Sequence, residues 1–285
     1  MSLYLTLPFQ YLFGDFRLAY IFYALFTSII TFFFSKKFKS FNFLAILLLV
    51  FTNPFTFYMI KYSWIDLLAL PIFTVMFLAL NNRKYFLSFI FLALLTSLKL
   101  YNFFIVPLFF IFYFKKEGFQ PKKLSAYLLV FALTLLISFS SFWFSSPNAL
   151  FYSIEYFNNS NPRYESLSFP GLIYRTGIDT SSFFTVISLV VSGVFFFQFF
   201  KNSDINIFKL LKYVSLVLLF SFIFAKQAFG NYYYNIVIIM IIYFVMINET
   251  NVKIEHRIQN TYRPRKIEVS KFWNCNCIQK FGYRS

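Results

Sequence analysis

The residues that could do chemistry in this chain lie in short polar clusters at the ends of long apolar segments. The three main clusters are Lys61-Tyr62-Ser63-Trp64-Ile65-Asp66, the segment holding Arg163, Glu165 and Ser166, and the segment from Lys226-Gln227 to Asn231-Tyr232. A carboxylate can act as a general base, and fixed cations can stabilise negative charge that develops during a reaction. An Arg at a membrane surface also suits a bidentate contact with phosphate. These residue types therefore indicate proton transfer and phosphate binding.

Each cluster also has a structural explanation. Asp66 is an acidic residue at the start of a predicted helix, where the helix dipole favours it, and this role is at least as well supported as a catalytic one. Arg163 and Glu165 could form an exposed ion pair, which would contribute little stability. An aromatic belt at a membrane surface explains the tyrosines 232–234, but it does not explain Lys226-Gln227 between two apolar segments.

The composition places these clusters in a membrane protein. Of the 285 residues, 59% are hydrophobic and 13% are charged, whereas a soluble domain is about 45–50% apolar and about 25% charged. An ordinary soluble enzyme is therefore excluded, and disorder is excluded for all but the C-terminal part. The net charge of +16 would suggest nucleic acid binding in a soluble protein, but in a membrane protein it indicates basic loops beside anionic lipid. We expect membrane lipid, and no nucleic acid, as a partner.

Nine apolar segments predict an all-α integral membrane protein with about nine transmembrane helices. A helix needs about 20 apolar residues to cross the bilayer core, and shorter helices need support from neighbours. The predicted spans are 17–34, 41–60, 66–80, 85–98, 100–114, 124–144, 181–200, 208–225 and 231–248. A single span from 85 to 114 would bury Lys99, at a cost of about 2.5–3.5 kcal/mol. Two short helices that meet near a wet surface at Lys99 cost less.

The distribution of Lys and Arg predicts the orientation of the chain. With the N-terminus outside and the C-terminus in the cytoplasm, 20 basic residues lie inside and 6 outside, as the positive-inside rule expects. Residues 1–248 then form a polytopic membrane domain with a long external loop, 145–180, and residues 249–285 form a polar basic tail. We expect this protein in the plasma membrane of a prokaryote, with its chemistry on the extracytoplasmic side.

The cysteines and the histidine do not predict a metal site. Cys275, Cys277 and the single His256 all lie in the tail, and they do not supply the four ligands of a structural zinc site. A disulfide framework is likewise not indicated. We therefore name no metal ligand.

The order of the polar clusters resembles the GT-C superfamily of polytopic glycosyltransferases, particularly its polyprenyl-phosphate-sugar-dependent, mannosyltransferase-like members. The matching pieces are Tyr62 to Asp66, Lys99-Leu100-Tyr101, Arg163 with Glu165-Ser166, and Phe224 and Lys226 with Asn231-Tyr232. The similarity extends over about residues 5–248. Relative to that family, we expect the chain to lack the N-terminal helix and the first part of the first external loop, because residues 1–15 resemble the back of that loop.

This resemblance implies transfer of a hexosyl or mannosyl group from a polyprenyl-phosphate donor to a glycan or protein acceptor. It implies Asp15 or Asp66 as the catalytic carboxylate, and Arg163, Lys226 and Lys99 beside the leaving phosphate. The other implied substrate-binding residues are Tyr101, Glu165, Ser166, Gln227, Asn231 and Tyr232. No cofactor is required by this chemistry, and a divalent cation is compatible with it.

Two other functions fit the sequence. A non-catalytic or truncated GT-C-like protein is favoured by the missing front of the first loop. A transporter or flippase for a lipid-linked sugar ranks third, since transporters commonly show internal repeats and charges deep in the membrane. The chain shows no internal repeat, and Lys99 is its one charge deep in an apolar segment.

Overall fold

A computed structural model describes residues 2–36, 52–61, 65–145, 148, 152, 155, 160–226 and 228–243 of the chain. This part is helical and contains no strand. The helices are α1 (Ser2–Phe13), α2 (Arg17–Lys36), α3 (Pro54–Lys61), α4 (Ala69–Asn81), α5 (Tyr85–Leu98), α6 (Val106–Glu117), α7 (Pro121–Ser145), α8 (Phe169–Tyr174), α9 (Ser181–Lys201), α10 (Ile207–Ile223) and α11 (230–243). The 3₁₀ turns Ile65–Leu68 and Leu100–Ile105 lead into α4 and α6.

The helices follow the predicted apolar segments, with a difference at the N-terminus. Residues 2–13 form a helix, where the family resemblance implied the back of a loop, and α1 folds back on α2 with the ring of Phe9 at 5.3 Å from that of Phe22. Of the predicted segment 41–60, the structure describes residues from 52 onward, and α3 begins at Pro54. The tail, 249–285, lies outside the described residues.

Helices α5 and α6 form an antiparallel hairpin with Lys99 at its tip. Lys99 has an extended backbone, with φ −147° and ψ 120°, and the 3₁₀ turn after it reverses the chain. The rings of Phe89 and Phe110 lie 5.0 Å apart, and at the open end the Tyr85 hydroxyl donates to Glu117 Oε1 at 2.9 Å. The prediction of two short helices on either side of Lys99 is therefore confirmed, but the second α-helix begins at Val106 and not at residue 100.

Successive helices run antiparallel, so the segments that connect them lie at two opposite ends of the bundle. At one end, the Glu117 end, the ammonium of Lys115 lies 4.9 Å from the ring centroid of Phe200 in α9, and Phe208 in α10 lies 5.8 Å from Tyr243 in α11. At the other end, the Asp66 end, lie the Lys99 tip, segment 160–180, and Ala228 between α10 and α11. The Glu117 end carries most of the described basic residues: Lys36, Arg83, Lys84, Lys115, Lys116, Lys122, Lys123, Lys201 and Lys209.

Apolar side chains fill the centre of the bundle and also cover its outside. Helix α4 is buried on almost every face, and Phe73 and Phe77 within it are fully buried. By contrast, α7 and α9 expose large apolar side chains, such as Ile137 at 71% and Phe197 at 67%. Two segments of these helices, Pro121–Ser140 and Ser181–Lys201, are long and apolar enough to cross a membrane.

Candidate functional site

A group of polar side chains is buried at the Asp66 end of the bundle. Asp66 lies in the 3₁₀ turn before α4, and 1% of its side chain is exposed. Its Oδ1 accepts a hydrogen bond from the Tyr101 hydroxyl at 3.1 Å, and its Oδ2 accepts one from Asn231 Nδ2 at 2.7 Å. Lys99 Nζ lies 3.5 Å from the same Oδ2. We call Asp66, Lys99, Tyr101, Asn231, Tyr232 and Asn235 the Asp66 cluster.

Aromatic rings cover this cluster. The ring of Tyr101 lies 4.9 Å from that of Tyr232 and 4.8 Å from that of Phe222. The ammonium of Lys99 lies 5.4 Å from the centroid of Tyr232, within cation–π range. The Lys99 side chain is 23% exposed and that of Asp66 is 1% exposed, so Lys99 is the partner that reaches the surface.

Asp66 fixes the direction of the hydrogen bonds around it. A carboxylate paired with an ammonium only accepts, so Tyr101 must donate to it and Asn231 must turn its NH₂ group towards it. The oxygen of Tyr101 in turn accepts a hydrogen bond from Asn235 Nδ2. The carbonyl oxygens of Asn231 and Asn235 point away from these bonds, and both are buried without a hydrogen-bond partner among the residues that the structure describes.

Ser166 attaches the segment before α8 to the turn between α10 and α11. Its side chain is fully buried, and Ala228 N donates to its Oγ at 2.8 Å. Leu167 N donates to the Ala228 carbonyl at 2.6 Å, and the Tyr233 hydroxyl donates to the Leu167 carbonyl at 2.8 Å. We call these contacts the Ser166 clamp. The sequence placed Ser166 among the substrate-binding residues, whereas in the structure its hydroxyl holds the turn in place.

The clamp brings two further cations to this end. The guanidinium of Arg163 lies 5.7 Å from the ring of Phe229 and is close enough to act electrostatically on Tyr232. Lys226 is close enough to act on Asp179, whose pKa is lowered first by hydrogen bonding from Ser181 and to a smaller extent by Lys226.

Glu165 does not take part in these contacts. Both Arg163 and Glu165 are exposed, and no ion pair joins them. The surface pair considered from the sequence is therefore not formed in this structure, and Arg163 remains directed at Phe229.

Asp15 has a different environment. It accepts hydrogen bonds from the backbone N of Arg17 at 2.8 Å and from its Nε at 2.9 and 3.0 Å, and Arg17 Nη2 lies 2.7 Å from its Oδ2. These hydrogen bonds lower the pKa of Asp15 below its ordinary value. The carboxylate caps the first turn of α2, and its lowered pKa makes it a weaker proton acceptor than an unpaired carboxylate.

One polar residue of the site was not among the sequence candidates. Asn235 follows Asn231 by four residues on the same face of α11, so the spacing was available as a signal. Its partner Tyr101 is 134 positions away in the chain, and no local pattern indicates that these two residues pair. Gln227 and Tyr62, which the sequence did single out, lie outside the described residues.

No protein-family model, curated protein or solved structure matches this chain. Within the described residues, no three His, Cys, Asp or Glu side chains come together as a metal centre would require. The Asp66 end instead combines a buried carboxylate, three cations, two amides and half-buried aromatic rings. Such an arrangement is suited to proton transfer and to binding an anion.

Proposed function

We propose that this chain is a membrane glycosyltransferase that transfers a hexosyl or mannosyl group from a polyprenyl-phosphate donor to a glycan or protein acceptor. One observation carries the proposal. The pieces that resemble the GT-C superfamily are far apart in the chain, yet Lys99-Leu100-Tyr101 and Asn231-Tyr232 meet at Asp66. The Ser166 clamp adds the third piece, Arg163 to Ser166, to the same end of the bundle.

The exposed apolar helices support an integral membrane protein. An apolar helix of a soluble protein is normally buried. In α7 and α9, only 6% and 17% of the most apolar 18-residue stretch is buried. Lipid is the environment in which such surfaces are stable. We propose about nine spans, with the start of the first span, α2, outside and the C-terminus in the cytoplasm, and with α1 packed along α2 from the outer side. The basic Glu117 end then faces the cytoplasm, as the positive-inside rule expects.

In the proposed reaction the cations bind the phosphate of the donor and Asp66 accepts a proton. The acceptor hydroxyl attacks the anomeric carbon and loses its proton, while the bond from that carbon to the phosphate oxygen breaks and polyprenyl phosphate leaves. Arg163, Lys226 and Lys99 would stabilise the negative charge on the leaving group. A carboxylate has about four lone-pair sites, and among the described residues Asp66 has three neighbouring donors, so that one site remains for the incoming proton.

Sugar transfer in reconstituted membranes tests the role of the cations. We expect Arg163→Ala and Lys226→Ala each to lower transfer from labelled polyprenyl-phosphate hexose by about 10²–10³-fold, as when one donor to a developing anion is removed. Lys84→Ala removes a cation from the Glu117 end and should leave transfer unchanged. Equal transfer by the parent chain and all three variants would remove the cation assignment.

The same assay distinguishes the two carboxylates. Asp66→Asn and Asp15→Asn are the same isosteric change, and we expect the first to lower transfer by about 10²–10⁴-fold, the usual contribution of a general base. Asn caps a helix about as well as Asp, so Asp15→Asn should retain both the helix start and the activity. The opposite result would assign the base to Asp15.

A non-catalytic GT-C-like membrane protein is the second candidate, and the burial of Asp66 favours it. A carboxylate that is 1% exposed and surrounded by three donors also fits a structural ion pair. A folded parent chain that binds polyprenyl-phosphate hexose but transfers no sugar would favour this second function.

A further inference from the structure

Unpaired amide oxygens are concentrated at the Asp66 end. Eight buried side-chain polar atoms of the described residues have no hydrogen-bond partner, and the three amide oxygens among them belong to Asn102, Asn231 and Asn235. Asn231 and Asn235 are 7% and 1% exposed and lie one turn apart on α11. Buried acceptors in native proteins are usually paired, so two neighbouring unpaired ones point to a ligand that supplies donors.

The hydrogen bonds of the cluster hold both oxygens in this orientation. Rotating the Asn231 amide would place its oxygen against the Asp66 carboxylate, which is also an acceptor. Rotating the Asn235 amide would place its oxygen against that of Tyr101, whose one proton is donated to Asp66. Neither amide can therefore gain a partner by turning over.

The charge of the cluster indicates what kind of donor is missing. Asp66 is paired with Lys99, so a bound cation would find no uncompensated negative charge. A neutral group with hydroxyl donors fits the two oxygens better. The half-buried rings of Tyr101 and Tyr232, with centroids 4.9 Å apart, lie beside the two amides, where the C–H groups of a sugar would contact them.

We propose that Asn235, together with Asn231, accepts hydrogen bonds from hydroxyl groups of the donor sugar. This inference rests on the proposed function and assigns the sugar-binding residues within it. The cations hold the phosphate and the amide pair holds the sugar. Removing an amide oxygen should therefore weaken binding of the glycosylated lipid and leave binding of the bare lipid phosphate unchanged.

Equilibrium binding to the full chain in lipid nanodiscs tests this division. The two probes are polyprenyl-phosphate hexose and polyprenyl phosphate of the same chain length. We expect the wild-type chain to prefer the glycosylated probe, and Asn235→Leu to reduce that preference about tenfold with no change for the bare phosphate. Normal binding of the bare phosphate also shows that the variant is folded. Asn235→Ala removes the same oxygen with a smaller side chain and should give the same selective loss.

Ser192→Ala is the matched control. It removes another buried oxygen that has no partner in the described part of the chain. Ser192 lies in α9, outside the Asp66 cluster, and its loss should change the affinity for neither probe. A preference that survives both Asn235 variants contradicts the amide assignment and leaves buried water as the ligand of these oxygens. A wild-type chain that binds neither probe, or binds both equally, contradicts the proposed function and this inference together.

Discussion

Water reaches the two members of the buried ion pair unequally, since Asp66 is 1% exposed and Lys99 is 23% exposed. Lys99→Met leaves the buried carboxylate without its counter-ion, and we expect a loss of about 3–5 kcal/mol in the free energy of unfolding. Asp66→Asn leaves an ammonium that can turn towards water, so we expect a smaller loss of about 1–3 kcal/mol from mismatched hydrogen bonds. Denaturant unfolding of the purified protein in detergent measures both.

The double variant is the control for this asymmetry. Because Asp66 and Lys99 are in contact, their effects should not add, and Asp66→Asn with Lys99→Met should lose less stability than the sum of the single changes. Strict additivity would mean that the two charges do not interact in the folded protein. If Asp66→Asn lowers the free energy of unfolding more than Lys99→Met does, the different exposure of the two side chains does not explain their contributions to stability.

Arg83, in the turn between α4 and α5, has a backbone conformation that favours glycine. Its φ is +58°, the one positive value at a non-glycine residue in the described part of the chain, and such a conformation costs an L-residue about 1–2 kcal/mol. Arg83→Gly should therefore raise the free energy of unfolding by about 1 kcal/mol. Arg83→Ala removes the charge but keeps the strained backbone conformation. If both variants raise the free energy of unfolding equally, the gain comes from loss of the charge and not from relief of strain.

Most of the candidate site could be predicted from residue types, because polar side chains are rare in so apolar a chain. Asp66, Lys99 and Asn231 were singled out in this way, whereas Tyr101 came from the resemblance to the GT-C superfamily. Lys99, Asn231 and Tyr101 all contact Asp66 in the structure. What the sequence could not show is which of them pair. The burial of Ser166 against Ala228 depends on a chain crossing 62 residues away, and no local pattern encodes that contact.

At the scale of elements, the short helix α8 can pack against Ser166 only because residue 171 is glycine. A Cβ at Gly171 would lie 2.5 Å from the Cβ of Ser166, closer than side chains approach one another. Gly171→Ala should displace the Ser166 clamp and lower the free energy of unfolding by about 1–3 kcal/mol, as overpacking does. Gly193→Ala in α9 meets nothing within 4 Å and should be neutral or stabilising by up to about 1 kcal/mol.

A second background separates this clash from other effects of the added methyl group. When Ser166 is first replaced by Gly, the side-chain atoms at 2.5 and 3.0 Å are gone and only the backbone oxygen at 3.2 Å remains, so Gly171→Ala should cost less stability than in the parent chain. The measurement is the thermal unfolding of each purified variant in the same detergent. An equal cost of Gly171→Ala in both backgrounds would show that Ser166 is not the residue it displaces.

Helices with strong local signals were predicted well, and short ones were not. Helix α5 ends at Leu98 as expected, because continuing it would bury Lys99 in an apolar segment. Helix α1 has 12 residues, fewer than the about 20 apolar residues by which a membrane span is recognised. Helix α8 has six residues and lies within a polar segment, so the same criterion does not find it. Ser168 caps α8 by accepting from Gly171 N at 3.4 Å, but Ser and Pro before a glycine are typical of turns as well.

At the scale of the whole molecule, the long and short helices divide the bundle into an outer and an inner part. Helix α7 exposes apolar side chains over most of its length, whereas α4 and α5 are largely buried. Helix α5 has 14 residues and is therefore about 21 Å long, less than the roughly 30 Å of a bilayer core. Helix α5 therefore depends on the helices packed beside it, α4 and α7, as a short helix in a bilayer does.

Labelling of single cysteines from either side of the membrane tests the division between the two ends. In a chain with Cys275 and Cys277 replaced by Ser, Arg163→Cys and Lys226→Cys should react with an impermeant maleimide in intact cells. Lys84→Cys and Lys201→Cys, at the Glu117 end, should react only after permeabilisation, because antiparallel packing places them at the opposite end of the bundle. Labelling of 163 and 226 from the cytosol alone would place the site on the wrong side for an extracytoplasmic transferase. Labelling of all four positions from one side would mean that the bundle does not span the membrane.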